Sequence, residues 1–161
     1  MSQRTDPDRL AQLRRLMVLD TQPEGDFDKL TAYLASQLGV PITMVNLLDE
    51  KRDWFKSCVG LPMSESPATL SFCEQVLQTD AALIVVEDTT LDARYANHVF
   101  VTGAPFIRFY AAARLCVGGQ TVGTLCAYDV KPRHLKLAEV EALQLMASAA
   151  VELLTRRHAS A

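Results

Sequence analysis

The stretch Ile107-Arg-Phe-Tyr-Ala-Ala-Ala-Arg-Leu-Cys-Val-Gly-Gly-Gln-Thr-Val-Gly-Thr-Leu-Cys-Ala-Tyr-Asp129 reads as a β-hairpin. Two β-rich runs flank Gly118-Gly119, and glycine accepts the positive φ angles of a tight two-residue turn. If the loop is just those two glycines, Val117 pairs with Gln120, Leu115 with Val122, Ala113 with Thr124, Ala111 with Cys126 and Phe109 with Tyr128. One face then carries Phe109, Ala111, Ala113, Thr124, Cys126 and Tyr128. The other carries Arg108, Tyr110, Ala112, Arg114, Gly123 and Leu125. Both are crowded with small residues, which either admit a closely packed helix or leave room for something that is not protein.

Upstream of the hairpin, Leu83 to Val86 reads as a strand, and the polar, turn-rich segment from Glu87 to Pro105 reads as a binding loop or lid with at most a short helix near Asp92 to Asn97. Ser71 to Gln78 looks like a short helix, and Pro62 and Pro67 mark an irregular loop. Ile42 to Leu48 is apolar on both alternating faces except at Asn46, the pattern of a central strand covered on both sides. A charged turn, Asp49 to Arg52, leads from it into an antiparallel neighbour, Asp53 to Gly60. Before these strands, Asp6-Pro7 is an N-cap and first-turn proline for a helix reaching about Val18. A second helix follows, with Phe27, Leu30, Leu34 and Leu38 at helical spacing up to Gly39. Downstream, Leu137 to Arg157 is a long helix with two apolar stripes, Val140-Leu143-Ala147-Ala150-Leu154 and Leu145-Met146-Ala149-Leu153. The second stripe points to another helix, from this chain or from a partner subunit.

A chain of 161 residues buries roughly 70% of the surface its unfolded form exposes, enough for one well-packed domain without staples. The net charge of −3 is spread along the chain with no polybasic tract, which argues against nucleic acid and anionic membranes as partners. The N-terminus lacks an apolar signal segment, and no apolar run approaches the length of a membrane span. We expect a soluble, cytoplasmic protein that starts naturally at Met1. The end, Arg156 to Ala161, reads either as a tail or as the cut before a longer helix. Cys58, Cys73, Cys116 and Cys126 show no Cys-x-x-Cys spacing and read as reduced, small hydrophobes. Cys116 and Cys126 point to opposite faces in the register above, against a disulfide. His98, His134 and His158 have no second histidine or cysteine at metal-ligand spacing.

The element order (helix, helix, two strands, helix, strand, long loop, two strands, helix) is that of an α+β domain with an antiparallel sheet. At this point the chain resembles a GAF domain of the bacterial type found alone or ahead of kinase and cyclase domains. The matching pieces are Leu19-Asp20-Thr21 with Pro23-Glu24 and Phe27-Asp28, Trp54-Phe55-Lys56-Ser57, Ser71-Phe72-Cys73, Asp88 with Asp92 and Arg94-Tyr95-Ala96-Asn97, Gly103 with Pro105, Ile107-Arg108-Phe109-Tyr110-Ala111, Gly123-Thr124-Leu125-Cys126 with Asp129, and Pro132-Arg133. The likeness covers about residues 14–157 within a single domain, 1–161. Three positions depart from it: Asn97-His98 stands in place of Asn-Pro, Arg114 in place of a proline, and Lys136 in place of a capping serine.

The resemblance implies N- and C-terminal helices on one face of the sheet. On the other it implies a pocket roofed by the short helix after Ser71 and the Glu87 to Pro105 loop. Within that frame Asp88, Asp92 and Arg94 are candidates for a ligand's polar groups, and Trp54, Phe72, Tyr95, Phe109, Tyr110 and Tyr128 for stacking on a flat ring. Thr124, Cys73 and Cys126 complete the candidate set. The plain structural alternatives are an N-cap for Asp92, a turn for Asp88, a local ion pair for Arg94 and core packing for the aromatics. Arg108 and Arg114 lie about 20 Å apart on one strand face and cannot clamp one small anion. Cys73 is followed by Glu74 and not by the histidine of a bilin-attachment site, and the Asn-Lys-x-x-x-Phe signature of cyclic-nucleotide-binding members is absent. The implied function is a non-catalytic sensory or regulatory module. Such a module binds a small intracellular molecule of unknown identity and signals through a homodimer of helices 7–18 and 137–157, with a kinase or cyclase as partner. Two alternatives stand beside it: a thiol-dependent reductase of the free methionine sulfoxide type, with Cys73 as nucleophile and Cys126 as resolving thiol, and a purely dimerising module with a collapsed pocket.

Overall fold

The structure, a computed structural model, describes residues 3–160. Asp6 caps the first helix, α1 (Pro7–Arg15), by accepting from the Asp8 N–H at 3.1 Å. The second helix, α2, spans Gly25–Leu38. The strands are β1 (Ile42–Leu48), β2 (Arg52–Val59), β3 (Glu65–Pro67), β4 (Leu83–Val86), β5 (Phe109–Val117) and β6 (Gln120–Asp129). Single turns of helix, α3 (Glu74–Leu77) and α4 (Val99–Thr102), interrupt the connections, and the long α5 (Leu137–Ser160) closes the fold. At its start the Lys136 carbonyl accepts the Glu139 N–H, while the Glu139 carboxylate accepts the Lys136 N–H at 2.9 Å. This reciprocal cap serves in place of a serine.

All six strands form one antiparallel sheet in the order β3-β2-β1-β6-β5-β4. β3 lies in what reads from sequence as an irregular loop, and the helix expected at Ser71 to Gln78 is only the four residues of α3. The expected helix near Asp92 to Asn97 is replaced by a 3-10 turn at Thr89–Leu91 and by α4.

The hairpin turns on Gly118 and Gly119, both at positive φ, but a β-bulge between Leu115 and Cys116 slides the expected register by one residue. Tyr110 therefore pairs with Tyr128, Ala112 with Cys126 and Arg114 with Thr124. A one-residue slip moves a whole strand to the other face. Phe109, Ala111 and Ala113 consequently lie with Leu125 and Ala127 in the core beneath the helices, while Tyr110, Ala112, Cys126 and Tyr128 face the opposite side. Gly123 is required by crowding, since a Cβ there would sit 2.2 Å from the Asn46 carbonyl oxygen of β1.

A second bulge, at Val45/Asn46, makes Lys56 the extra residue of β2. Its side chain has no exposure; the ammonium lies 2.6 Å from Glu24 and donates to Thr21 Oγ1 and the Gln22 carbonyl. Trp54, two residues earlier, is buried in the same helix-side core as α1, α2 and α5. The two apolar stripes of α5 are not equally covered. Leu143, Ala147, Ala150 and Leu154 are buried in the helix-side core; of the second stripe, Met146 is buried there too and Leu153 packs against it, whereas Leu145 is 74% exposed.

Candidate functional site

On the sheet face away from α2 and α5, β1, β2 and β6 form the floor of a cleft of about 310 Å³. Ile42, Met44, Phe55, Phe72, Ile107 and Tyr128 make it mainly apolar, with Phe100 of α4 and Pro105 at its rim. One end is polar. There Asn46, Asp53 and Ser71 meet, because Asn46 pairs with Phe55 across the β1–β2 bulge and so points to this face.

Asp53 is the centre of that end. Arg4, carried in by the 3-10 turn Gln3–Thr5, reaches its Oδ1 at 2.9 Å, with both side chains about 95% buried. Arg4 also donates to the Asp49 carbonyl at 2.7 Å and lies 3.3 Å from Glu74. Asp53 Oδ2 accepts from Asn46 Nδ2 at 2.9 Å and from the Ser71 hydroxyl at 2.5 Å. Burial pushes the Asp53 carboxyl up, against the pull of Arg4, Asn46 and Ser71. The demand of Asp53 for donors fixes the Asn46 amide with its NH₂ toward the carboxylate. Asn46 Oδ1 is then the one buried side-chain oxygen or nitrogen among the described residues that has no hydrogen-bond partner.

Beside the cleft, aromatic rings fill the space above Ala112 and Cys126. Phe72 stacks on Tyr95 at 5.1 Å between centroids and meets Tyr110 and Tyr128 at 5.3 and 5.6 Å. The Tyr95 hydroxyl donates to the Phe72 carbonyl. Beneath these rings Cys73 Sγ receives the Tyr110 hydroxyl at 2.9 Å and lies 3.1 Å from Thr124 Oγ1. Burial raises the Cys73 thiol, but hydrogen bonds with Cys126, Thr124 and Tyr110 outweigh it and bring the thiol down, whereas burial drives Cys126 well up. Neither cysteine has any exposed surface.

Of the sequence-derived candidates, then, Phe72 and Tyr128 line the cleft. Cys73, Tyr95, Tyr110, Thr124 and Cys126 pack around the ring cluster next to it. Trp54 and Phe109 lie on the opposite face, a correction that follows from the core assignment of their strands. Asp88 caps the 3-10 turn through the Thr90 N–H at 3.0 Å, and Arg94 is paired with Asp92 at 2.7 Å; none of the three lines the cleft. Arg114 is spent on the carbonyls of Val76, Thr79 and Ala81. The expected helix-side and pocket-side layers are both present, but sequence reasoning missed Asn46 and Asp53 as site residues. The signal was Asn46, the one polar interruption of an apolar strand. His158 falls outside the residues whose side chains are described, and among those that are, no group of three histidine, cysteine or carboxylate residues is placed to hold a metal.

The profile of the GAF domain family matches residues 22–153. The chain belongs to the GAF domain family. Over 126 residues, 78% of its length, it is 34% identical to a cyclic di-GMP phosphodiesterase of Pseudomonas aeruginosa, and it spans 21% of that protein. Its fold is that of the GAF domain from the Acinetobacter phosphoenolpyruvate-protein phosphotransferase, with a TM-score of 0.70 at 18% identity over 96% of this chain and 97% of that one. A free methionine-R-sulfoxide reductase from Neisseria meningitidis, solved with its substrate, shares the fold with a TM-score of 0.69 at 16% identity, over 95% and 90% of the two chains. At such identities the two structures establish the fold of this GAF domain alone. No helix among its described residues is long and apolar enough to cross a membrane.

Proposed function

We propose that this GAF domain is a non-catalytic sensory or regulatory module of the cytoplasm. It receives a small molecule in the β1–β2–β6 cleft and passes the event on through its terminal helices in a homodimer. The observation that carries this reading is Asn46, which lines the polar end of the cleft beside Asp53 and Ser71 and whose buried Oδ1 has no hydrogen-bond partner. A buried polar atom without a partner costs stability, and a ligand donor removes that cost. Support for the dimer comes from Leu137 and Leu145, each 74% exposed on α5, which would bury apolar surface against a second copy. The relative named as a cyclic di-GMP phosphodiesterase supports an enzymatic signalling domain as the output, with a kinase or cyclase as the other candidates.

A reductase reading draws on the donors converging on Cys73 and on the sulfoxide reductase that shares the fold. Its difficulty is access, since a thiol that attacks a substrate must reach it. Titration of the native protein with a thiol reagent separates the two readings. We expect Cys116, which is exposed, to react first and Cys58, half-buried and with its thiol raised by burial, to follow slowly. Cys73 and Cys126 should stay silent until the protein unfolds, and free methionine sulfoxide with dithiothreitol should show no turnover. If Cys73 reacted as fast as Cys116 and sulfoxide were consumed, the non-catalytic reading would fail.

A further inference from the structure

We infer that the cleft recognises a neutral, flat molecule of about two fused rings that carries one hydrogen-bond donor, such as a hydroxyl or N–H, directed at Asn46 Oδ1. The inference rests on the reading of the cleft as the ligand site and adds the chemical class of its occupant.

Size comes first. A dry apolar cavity of about 150 Å³ holds one benzene, so about 310 Å³ matches a bicyclic molecule. Flat rings suit walls made by Phe55, Phe72 and Tyr128, where offset or edge contacts are available.

Charge comes second. No lysine, arginine or histidine is among the residues lining the cleft, whereas Asp53 and Glu65 are. A carboxylate or phosphate there would face two acidic side chains without a cation. Arg4, the nearest guanidinium to the polar end, is engaged by Asp53, Glu74 and the Asp49 carbonyl. A cation fares no better at depth. Asp53 is compensated by Arg4 and already accepts from Asn46 and Ser71, while Glu65, at the mouth, is paired with Arg52 at 2.7 Å. Moving an ammonium to a neutral amide oxygen, beside a carboxylate already matched by Arg4, incurs its desolvation with no free counter-charge in return.

The polar requirement comes last. Asn46 Nδ2 is held by Asp53, so the amide offers an acceptor and not a donor, and only a ligand donor satisfies it. Asn46 is 1% exposed, and its Oδ1 has almost no contact with water as it stands. A ligand donor that reaches it supplies a bond that solvent does not.

The test is calorimetric titration of the intact chain with four probes that share one naphthalene ring system. These are 2-naphthol (neutral donor), 2-methoxynaphthalene (neutral, no donor), 2-naphthoate (anion) and 2-naphthylmethylamine (cation). Naphthol is expected to bind with a Kd below about 1 mM and about five- to tenfold tighter than its methyl ether, the span of one hydrogen bond to a buried acceptor. The two charged probes should bind at least as weakly as the ether. In Asn46→Ala the naphthol-to-ether ratio should fall to near one, and the ligand-side comparison in the unaltered chain stands whether or not that variant folds. Equal binding of naphthol and ether, or tightest binding of the anion or cation, overturns the ligand class while leaving the cleft as the site. Absence of saturable binding by any of the four overturns the class and the cleft together.

Discussion

Replacing Glu24 by alanine is expected to destabilise the domain by about 3 kcal/mol, because it leaves the Lys56 ammonium buried with no counter-ion. Lys56 has no exposed side-chain surface and Glu24 is its ion-pair partner at 2.6 Å, while the same carboxylate takes Arg157 Nε at 2.5 Å. The lower end of the usual range applies because the Glu24 side chain is 36% exposed. In a domain of this size that loss corresponds to a fall in Tm of roughly 6–12 °C. Lys56→Met is expected to cost only about 1 kcal/mol, since it removes the buried charge together with its hydrogen bonds to Thr21 and Gln22. The double variant should resemble Lys56→Met rather than the sum of the two changes. Additive losses in chemical denaturation would show that the pair is not coupled.

The same carboxylate makes part of the stability depend on pH. Burial works to raise Glu24, but hydrogen bonds and charge from Lys56 and Arg157 hold it below the ordinary glutamate range. Its folded-state pKa is therefore depressed. The stabilisation is fully present above the unfolded value of about 4.3 and is lost as pH falls through the folded value. The Glu24→Ala variant should accordingly lose less stability than the parent between neutral pH and pH 3.

Phe72→Ala is expected to cost about 4 kcal/mol, within the range for truncating a buried phenylalanine. Phe72 is 4% exposed and touches the rings of Tyr95, His98, Tyr110 and Tyr128. Its loss removes both the buried area and the ring-ring contacts, and leaves a void between the cleft and the Cys73 sulfur. Two readouts follow: a lowered denaturation midpoint at unchanged slope, and reaction of Cys73 with a thiol reagent under conditions where the native protein protects it. A loss below about 1 kcal/mol with Cys73 still protected would mean that the site collapses around the gap, as small cavities do in compliant cores.

The sequence carried the layers of this fold further than it carried the site. Gly118-Gly119 places the hairpin turn and the pairing of Val117 with Gln120. Alternation beyond the turn presumes an unbroken ladder, and the bulge at Leu115/Cys116 breaks it, with Val122 turned into the helix-side core and Gly123 pressed onto the Asn46 backbone. A bulge puts one extra residue into one strand and sends the side chains beyond it to the other face. This is why Phe109 parts from Tyr128 and joins the helix-side core, where Trp54 of β2 also lies opposite Leu47. The polar end of the cleft was visible only in part. Asn46 stood out in an apolar strand, but its partner Asp53 sits at the edge of a charged turn and reads as a surface residue until Arg4, 49 positions away, is folded over it. No local pattern announces an ion pair of that span.

Where a small molecule lands on this domain is the decisive observation. Methionine methyl groups label the alternatives: Met44 and Met63 line the cleft, Met146 is a core residue of α5, and Met17, just after α1, is exposed and is not among the residues lining the cleft. With methyl-¹³C methionine in the intact chain and 2-naphthol as the probe, the account predicts saturable shifts of the Met44 and Met63 signals at concentrations that leave Met17 and Met146 in place. Shifts at Met17 or Met146 with Met44 and Met63 unmoved would contradict it.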